Sequence, residues 1–204
     1  MKYKWLNKNN NDKLIIFFNG WGMDEGVVEH LDFESFDVVM FYDYNNLDTD
    51  FCLDKEYQEI NVIAWSMGVL VSGIVLKNIC KAANIVVING TLKPVDEKYG
   101  IHPKIYDLTI KGFNEAGRNK FINNMFLGKI IDFKTTRTLE NQKSELIALK
   151  NYHFDGTFEP TKIIISDSDK IIPTNNQSEF WGVEPNFKGG HCIFFEFKKW
   201  SELL

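Results

Sequence analysis

Short, mainly apolar runs recur along this chain, and each is closed by Asn, Asp or Ser. They lie at 14–18, 36–42, 61–65, 85–89 and 162–166, and their length and β-branched or aromatic content suit buried strands better than helices. Mixed or helical stretches separate them, an alternation that predicts a mostly parallel sheet with helices on both faces. Leu70, Ile74, Val75 and Ile79 fall near helical spacing, which predicts a helix over 69–80. The stretch from about 91 to 155 differs. It is more charged, its strand signals are weak, and two helical patterns stand out over 113–126 and 137–150. The organisation expected is a single domain over 1–204 with a helical cap inserted at about 91–155.

The third run carries the most specific chemistry. Ile60–Trp65 leads into Ser66-Met-Gly68, and an apolar helical pattern follows at once. A serine on a sharp strand-to-helix turn, flanked by small residues (here Ala64 and Gly68), is a nucleophile elbow. Three further segments stand in a telling order. The first strand runs into Asn19-Gly-Trp-Gly22; the last runs into Asp167-Ser-Asp169-Lys-Ile-Ile-Pro173; and Gly189-Gly-His191-Cys192 opens a helix-like tail. Serine, then acid, then histidine is the chain order of the α/β-hydrolases.

Each residue type has a reason. A serine hydroxyl attacks a carbonyl only when a base takes its proton, and His191 is the candidate base. A carboxylate on the other imidazole nitrogen fixes the tautomer. Asp167 and Asp169 compete for that position; Asp169, four residues before Pro173, matches an Asp-x-x-hydrophobic-Pro pattern and is preferred, with Asp167 left to cap a turn. The oxyanion needs preorganised N–H donors, for which the amides of Met67 and Trp21 are the candidates. Gly20 and Gly22 let that second loop come close to substrate. Trp65 reads as core and Asp43 as a structural acid at a strand end. His30, His102 and His153 read as surface or cap residues, His153 being the one closest to the expected site.

Bulk properties narrow the class. With 204 residues, 44% hydrophobic and 14% aromatic, the chain has enough apolar matter for one core. No apolar stretch is long enough to span a bilayer, and the N-terminus is too polar for a secretory signal. Cys52, Cys80 and Cys192 are an odd, scattered set, so neither a disulfide framework nor a zinc site is expected and a reducing cytoplasm fits. No phosphate-binding glycine motif or metal cluster is present in the sequence, so no cofactor is expected. The net charge of −5 argues against nucleic acid, but between Lys93 and Lys150 there are 11 Lys+Arg against 7 Asp+Glu. A basic segment within an acidic chain suggests an acidic partner on one face.

Asn19-Gly-Trp-Gly-Met-Asp24 followed by Ala64-Trp-Ser-Met-Gly68, with the Gly-Gly-His-Cys turn near the C-terminus, resembles the BioG-type pimeloyl-[acyl-carrier protein] methyl ester esterases of biotin synthesis. The resemblance implies an α/β-hydrolase fold and cleavage of a methyl ester on a carrier-bound pimeloyl chain. Carried over residue by residue, it implies Ser66 as nucleophile, His191 as base, Asp169 as third member, and Trp21 and Met67 as oxyanion donors. Its partner is acyl carrier protein, a strongly acidic one, with no membrane and no nucleic acid involved and the enzyme acting as a monomer. Arg118, Lys120, Arg137 and Lys143 in the basic segment are the candidates to meet that partner. Phe113, Phe121, Met125 and Phe126 suit either a lining for the methylene chain or, preferably, ordinary helix packing. The residues themselves leave room for a general carboxylesterase or thioesterase, a lyase of the same fold, or a non-catalytic binding module.

Overall fold

Leu14 to Phe18 are all fully buried, and alternate residues belong to different cores. Ile15 and Phe17 pack with Leu31, Phe194 and Trp200, whereas Leu14, Ile16 and Phe18 pack with Val69, Val71 and Tyr106. A strand covered on both faces has no polar side, which is why its sequence is a continuous apolar run and not an alternation. The computed structural model describes residues 1–132 and 135–204; residues 133–134 of the expected cap lie outside the described residues.

Six strands form one sheet: β1 (Lys2–Asn7), β2 (Lys13–Phe18), β3 (Phe36–Tyr42), β4 (Glu59–Trp65), β5 (Asn84–Ile88) and β6 (Lys162–Ile164). Their spatial order is β1-β3-β2-β4-β5-β6, parallel throughout except for β1, which runs antiparallel to β3 at one edge. This is the α/β-hydrolase arrangement, and five of its six strands coincide with the apolar runs. β1 does not. Lys2, Tyr3 and Lys4 are exposed, so an edge strand covered on one side only carries no continuous apolar signal. β6 stops at Ile164, and Ser166 pairs with Phe187 in an isolated bridge.

One face of the sheet is covered by α1 (Met67–Val75) and by two helices that follow β5, α2 (Pro103–Gly112) and α4 (Leu139–Leu149); α3 (Glu115–Met125), between them in sequence, touches this core through Phe121 and the opposite one through Ile122 and Met125. α1 continues as a 3₁₀ turn to Asn78, slightly short of the expected end at 80. Among the described residues the expected cap therefore holds three helices, not two. The other face is covered by the segment after β2 and by the C-terminal tail, whose expected helix is two 3₁₀ turns, Phe194–Glu196 and Trp200–Leu203. The tail is fastened to the loop before β3: Asp32 N donates to Lys198 O, and Trp200 N donates to Asp32 O. α5 (Thr174–Trp181) follows β6 and ends at Gly182 in the left-handed conformation, a common helix stop. No helix among the described residues is long and apolar enough to cross a membrane.

Candidate active site

The carboxyl ends of β2, β4, β5 and β6 come together at one edge of the sheet, where open α/β sheets place their ligands. β4 ends at Trp65, and Ser66 stands alone between it and α1 with φ 57° and ψ −125°. A left-handed serine costs on the order of 1–3 kcal/mol, so its surroundings must over-determine it. Ser66 N donates to Ile88 O on the neighbouring strand, and Val69 N donates to Ser66 O. The space is equally constrained. A Cβ on Gly68 would lie 2.4 Å from Phe18 O, and one on Gly90 would lie 2.5 Å from Ser66 O. Glycine at 68 is thus dictated by contact with β2, and a second glycine, at 90, is dictated by contact with Ser66 itself.

His191 Nε2 lies 2.8 Å from Ser66 Oγ, and His191 Nδ1 lies 2.7 Å from Asp169 Oδ2. An ionised carboxylate only accepts, so Nδ1 carries the proton and Nε2 offers its lone pair to the serine hydroxyl. Both His191 and Asp169 are buried. Asp169 is itself held: its Oδ1 accepts from the amides of Ile171 (2.8 Å) and Ile172 (3.1 Å), and its Oδ2 accepts from Gln177 Nε2 (2.9 Å). Asp167, the competing acid, is exposed and does not reach the imidazole. Its carboxylate accepts from Ser168 Oγ and Gly189 N, so it ties the acid loop to the histidine loop.

Asn89, absent from the candidate residues, binds these loops together. It sits at φ 45° just past β5, fully buried. Its Oδ1 accepts from Ser166 N (2.7 Å), while its Nδ2 donates to Ser166 Oγ (2.8 Å), His191 O (2.9 Å) and Gly190 O (3.2 Å). Trp65 Nε1 also donates to His191 O, so the tryptophan beside the serine is core that positions the histidine backbone. An Asn-Gly pair closing an apolar strand was the only local signal for this role.

The loop after β2 reaches toward Ser66 from the opposite side. Trp21 and Met67 both line the same cavity as Ser66. Met67 begins α1, so its amide is among the first-turn donors that have no partner within the helix. Trp21 Nε1 donates to Gln142 O (2.7 Å), Gln142 Nε2 donates to Gly22 O (2.8 Å), and Gly22 N donates to Glu145 Oε2 (2.9 Å). Asp24 accepts from Thr135 Oγ1 and from the amide and hydroxyl of Thr136. α4 and the segment before it therefore grip this loop along its length.

Arg137 requires a correction. It was expected on a partner-facing surface, but only 4% of its side chain is exposed. It forms ion pairs with Glu145 (2.8 Å) and Asp43 (3.2 Å) and donates to Asn141 Oδ1. The charge is used inside the protein and cannot meet a partner. Asp43, at φ 56° after β3, is also ion-paired to Lys2 at 2.8 Å. Burial raises its pKa, but hydrogen bonds from Lys2 and Asn45, the Arg137 charge and Asn141 outweigh this and bring it to about 2. Burial holds the Glu145 carboxyl above its ordinary range, against the pull of Arg137 and the two amides it accepts.

The Ser66 cavity has a volume of about 430 Å³ and a mainly apolar wall that includes Ile101, Tyr106, Phe113, Phe121 and Leu146. Phe113 and Phe121 pack edge-on against Trp21, at 5.2 and 4.8 Å between ring centroids. Met125 and Phe126 instead belong to the core on the other face of the sheet. Lys120 is exposed and lines the cavity, whereas Arg118 and Lys143 are half-buried. His153 lines a different cavity, beside Leu149 and Asp155. His102 caps α2, and His30 stacks on Phe195. Among the described residues no group of three or more His, Cys, Asp or Glu is placed to hold a metal ion.

A protein-family model described as pimeloyl-ACP methyl esterase BioG matches residues 1–203. The chain belongs to the BioG family. A solved structure of BioG from Haemophilus influenzae is 31% identical and covers 100% of this chain and 99% of its own, with a TM-score of 0.88. An uncharacterized protein of Haemophilus influenzae is 32% identical over 206 residues, covering 94% of each chain. A malonyl-[acyl-carrier protein] O-methyltransferase of Bacteroides fragilis is 36% identical over 176 residues, which are 82% of this chain but only 36% of that protein. The chain thus spans about a third of the length of that methyltransferase. An esterase from Exiguobacterium antarcticum, at 13% identity and a TM-score of 0.68, shares the fold. This BioG-family chain is a carboxylic ester hydrolase, which sets aside the lyase and the non-catalytic binding module.

Proposed function

We propose that this BioG-family enzyme hydrolyses the methyl ester of a pimeloyl chain borne by acyl carrier protein, releasing methanol and a free distal carboxylate in biotin synthesis. The observation that carries the residue assignment is the Ser66–His191–Asp169 relay, two contacts of 2.8 and 2.7 Å opening onto an apolar cavity. Ser66 Oγ attacks the ester carbonyl while His191 Nε2 takes its proton. The tetrahedral oxyanion is held by the amides of Met67 and Trp21, each such donor being worth about 10² or more in rate. His191 then protonates the departing methoxide, leaving an acyl-serine. Water, deprotonated by the same imidazole, attacks that acyl group; the proton returns to Ser66 Oγ and the carboxylate leaves. Asp169 stays ionised throughout and stabilises the imidazolium.

The cavity wall suits a methylene chain, and its rim suits the carrier. α2 exposes Ile105 and Leu108 beside the cavity (55% and 63% exposed), and Lys104, Lys111 and Lys120 are exposed on α2 and α3. Apolar side chains ringed by cations fit an acidic carrier protein. Of the cations first considered, Lys120 is the best placed for this, with Arg118 and Lys143 further back.

The deciding experiment compares wild type and Ser66→Ala on pimeloyl-carrier-protein methyl ester, with dimethyl pimelate and p-nitrophenyl esters in parallel. Cleavage of the carrier-bound ester by wild type, lost in the variant, is expected. Cleavage of small esters alone would refute the carrier-bound substrate while leaving the relay intact.

A further inference from the structure

Glu145 is fully buried on α4, a helix whose other inward residues include Leu146 and Leu149. A buried carboxylate is costly unless charges and hydrogen bonds satisfy it, and for holding a helix against a sheet an apolar residue serves as well. What a carboxylate does that leucine cannot is fix the direction of N–H groups. Glu145 fixes two, on two different strand-end loops: Gly22 N after β2 (2.9 Å) and Tyr44 N after β3 (2.7 Å). Arg137, itself ion-paired to Asp43, supplies the compensating charge at 2.8 Å.

The consequence falls on Trp21. The residue that follows it is held at both backbone polar atoms, Gly22 N by Glu145 and Gly22 O by Gln142, and the Trp21 indole is held by Gln142 O. Gly22 lies at φ 71°, a flexible left-handed position that would leave this loop free to turn without such restraints. We propose that Glu145 is a positioning residue for ester hydrolysis: by anchoring Gly22 it holds the Trp21 amide where the oxyanion develops. This rests on the reading of Trp21 as an oxyanion donor and extends it to a residue more than a hundred positions away, on the helical insertion.

The test is steady-state hydrolysis of dimethyl pimelate by Glu145→Gln and by the double variant Arg137→Met/Glu145→Gln, which leaves no unpaired charge in the pair and so protects folding. Leu149→Ala, on the same helix, controls for simple loss of packing. Displacing one donor should lower kcat roughly 10- to 100-fold with KM changed by less than about threefold. The affinity for a trifluoromethyl ketone, which forms a tetrahedral adduct on the serine, should fall in parallel. Leu149→Ala should lower the Tm without that kcat loss. Unchanged kcat in the folded double variant, or a rise in KM alone, or an equal kcat loss in Leu149→Ala, would overturn the proposal. Activity surviving Ser66→Ala would instead sink the underlying relay, so the two failures are distinguishable.

Discussion

Replacing Asp169 with Asn exchanges one oxygen for an amide, and the surroundings dictate which one. Oδ1 faces the backbone amides of Ile171 and Ile172, which cannot turn away, while Oδ2 faces Gln177 Nε2 and His191 Nδ1. Placing the new NH₂ on the first side opposes two fixed donors. Placing it on the second opposes one donor, together with an imidazole that can change tautomer. An unpaired buried donor costs about 1–3 kcal/mol, so the second orientation wins by that margin, roughly 5- to 150-fold in population. His191 must then accept at Nδ1 and carry its proton on Nε2, so a proton and not a lone pair faces Ser66. With the loss of the carboxylate charge opposite the imidazolium, kcat should fall on the order of 10³- to 10⁴-fold. The assay is single-turnover and steady-state cleavage of a p-nitrophenyl ester by Asp169→Asn and Asp167→Asn, with the Tm of each. The Asp167 carboxylate accepts from Ser168 Oγ and Gly189 N and does not touch the imidazole, so its variant should stay within about threefold of wild type. A folded Asp169→Asn enzyme retaining more than about a tenth of wild-type activity, or a larger loss at Asp167, would refute the argument.

Other positions carry their own expectations. Asn89→Asp keeps the acceptor for Ser166 N but turns a carboxylate on the carbonyls of Gly190 and His191; thermal melts should show a loss of about 2–4 kcal/mol, with kcat also reduced. The folded-state pKa of Asp43 lies below the ordinary 3.8, so its contribution is complete above that value and disappears as pH falls toward about 2. Urea midpoints should therefore drop less over that window in Asp43→Asn than in wild type. Burial raises the Cys192 thiol to about 12 and the Cys80 thiol to about 11, whereas Cys52 is exposed. Iodoacetamide near neutral pH, followed by mass spectrometry, should label Cys52 first and Cys192 only on unfolding.

The sequence displayed those parts of the site that are local. A strained serine turn leaves small residues beside it, and a parallel strand buried twice leaves an unbroken apolar run, so Ser66 and five strands were visible. What it concealed is whatever depends on partners far along the chain. Asn89 acts on residues some 77 to 102 positions away and Glu145 on residues 101 and 123 positions away, and neither spacing leaves a local pattern. Arg137 counted as a surface cation for a related reason: of its two carboxylates Asp43 is remote in sequence, and Glu145, eight residues on, is itself buried by contacts with remote loops. α2 was missed for a different cause. It is short, and its apolar Ile105 and Leu108 face solvent, so its pattern does not report a buried face, although Pro103 in its first turn was an available start signal. Asp167 and Asp169 differ only in the turn each occupies, which two backbone amides settle in the folded chain.

The grip of α4 on the loop after β2 also divides the insertion into a fixed and a movable part. Gln142 and Glu145 lock α4 to Trp21 and Gly22, so swinging that helix outward would dismantle the oxyanion loop in the same motion. Opening for a long tethered chain is left to α2 and the first turns of α3, joined at Gly112–Asn114, because at the far end of α3 Met125 is fully buried and its carbonyl accepts from Cys192 N. In amide hydrogen exchange, α4 should protect like the sheet while α2 and the first turns of α3 exchange faster and slow when acyl carrier protein binds. The insertion is then hung on a rigid post, α4, and the post belongs to the catalytic frame.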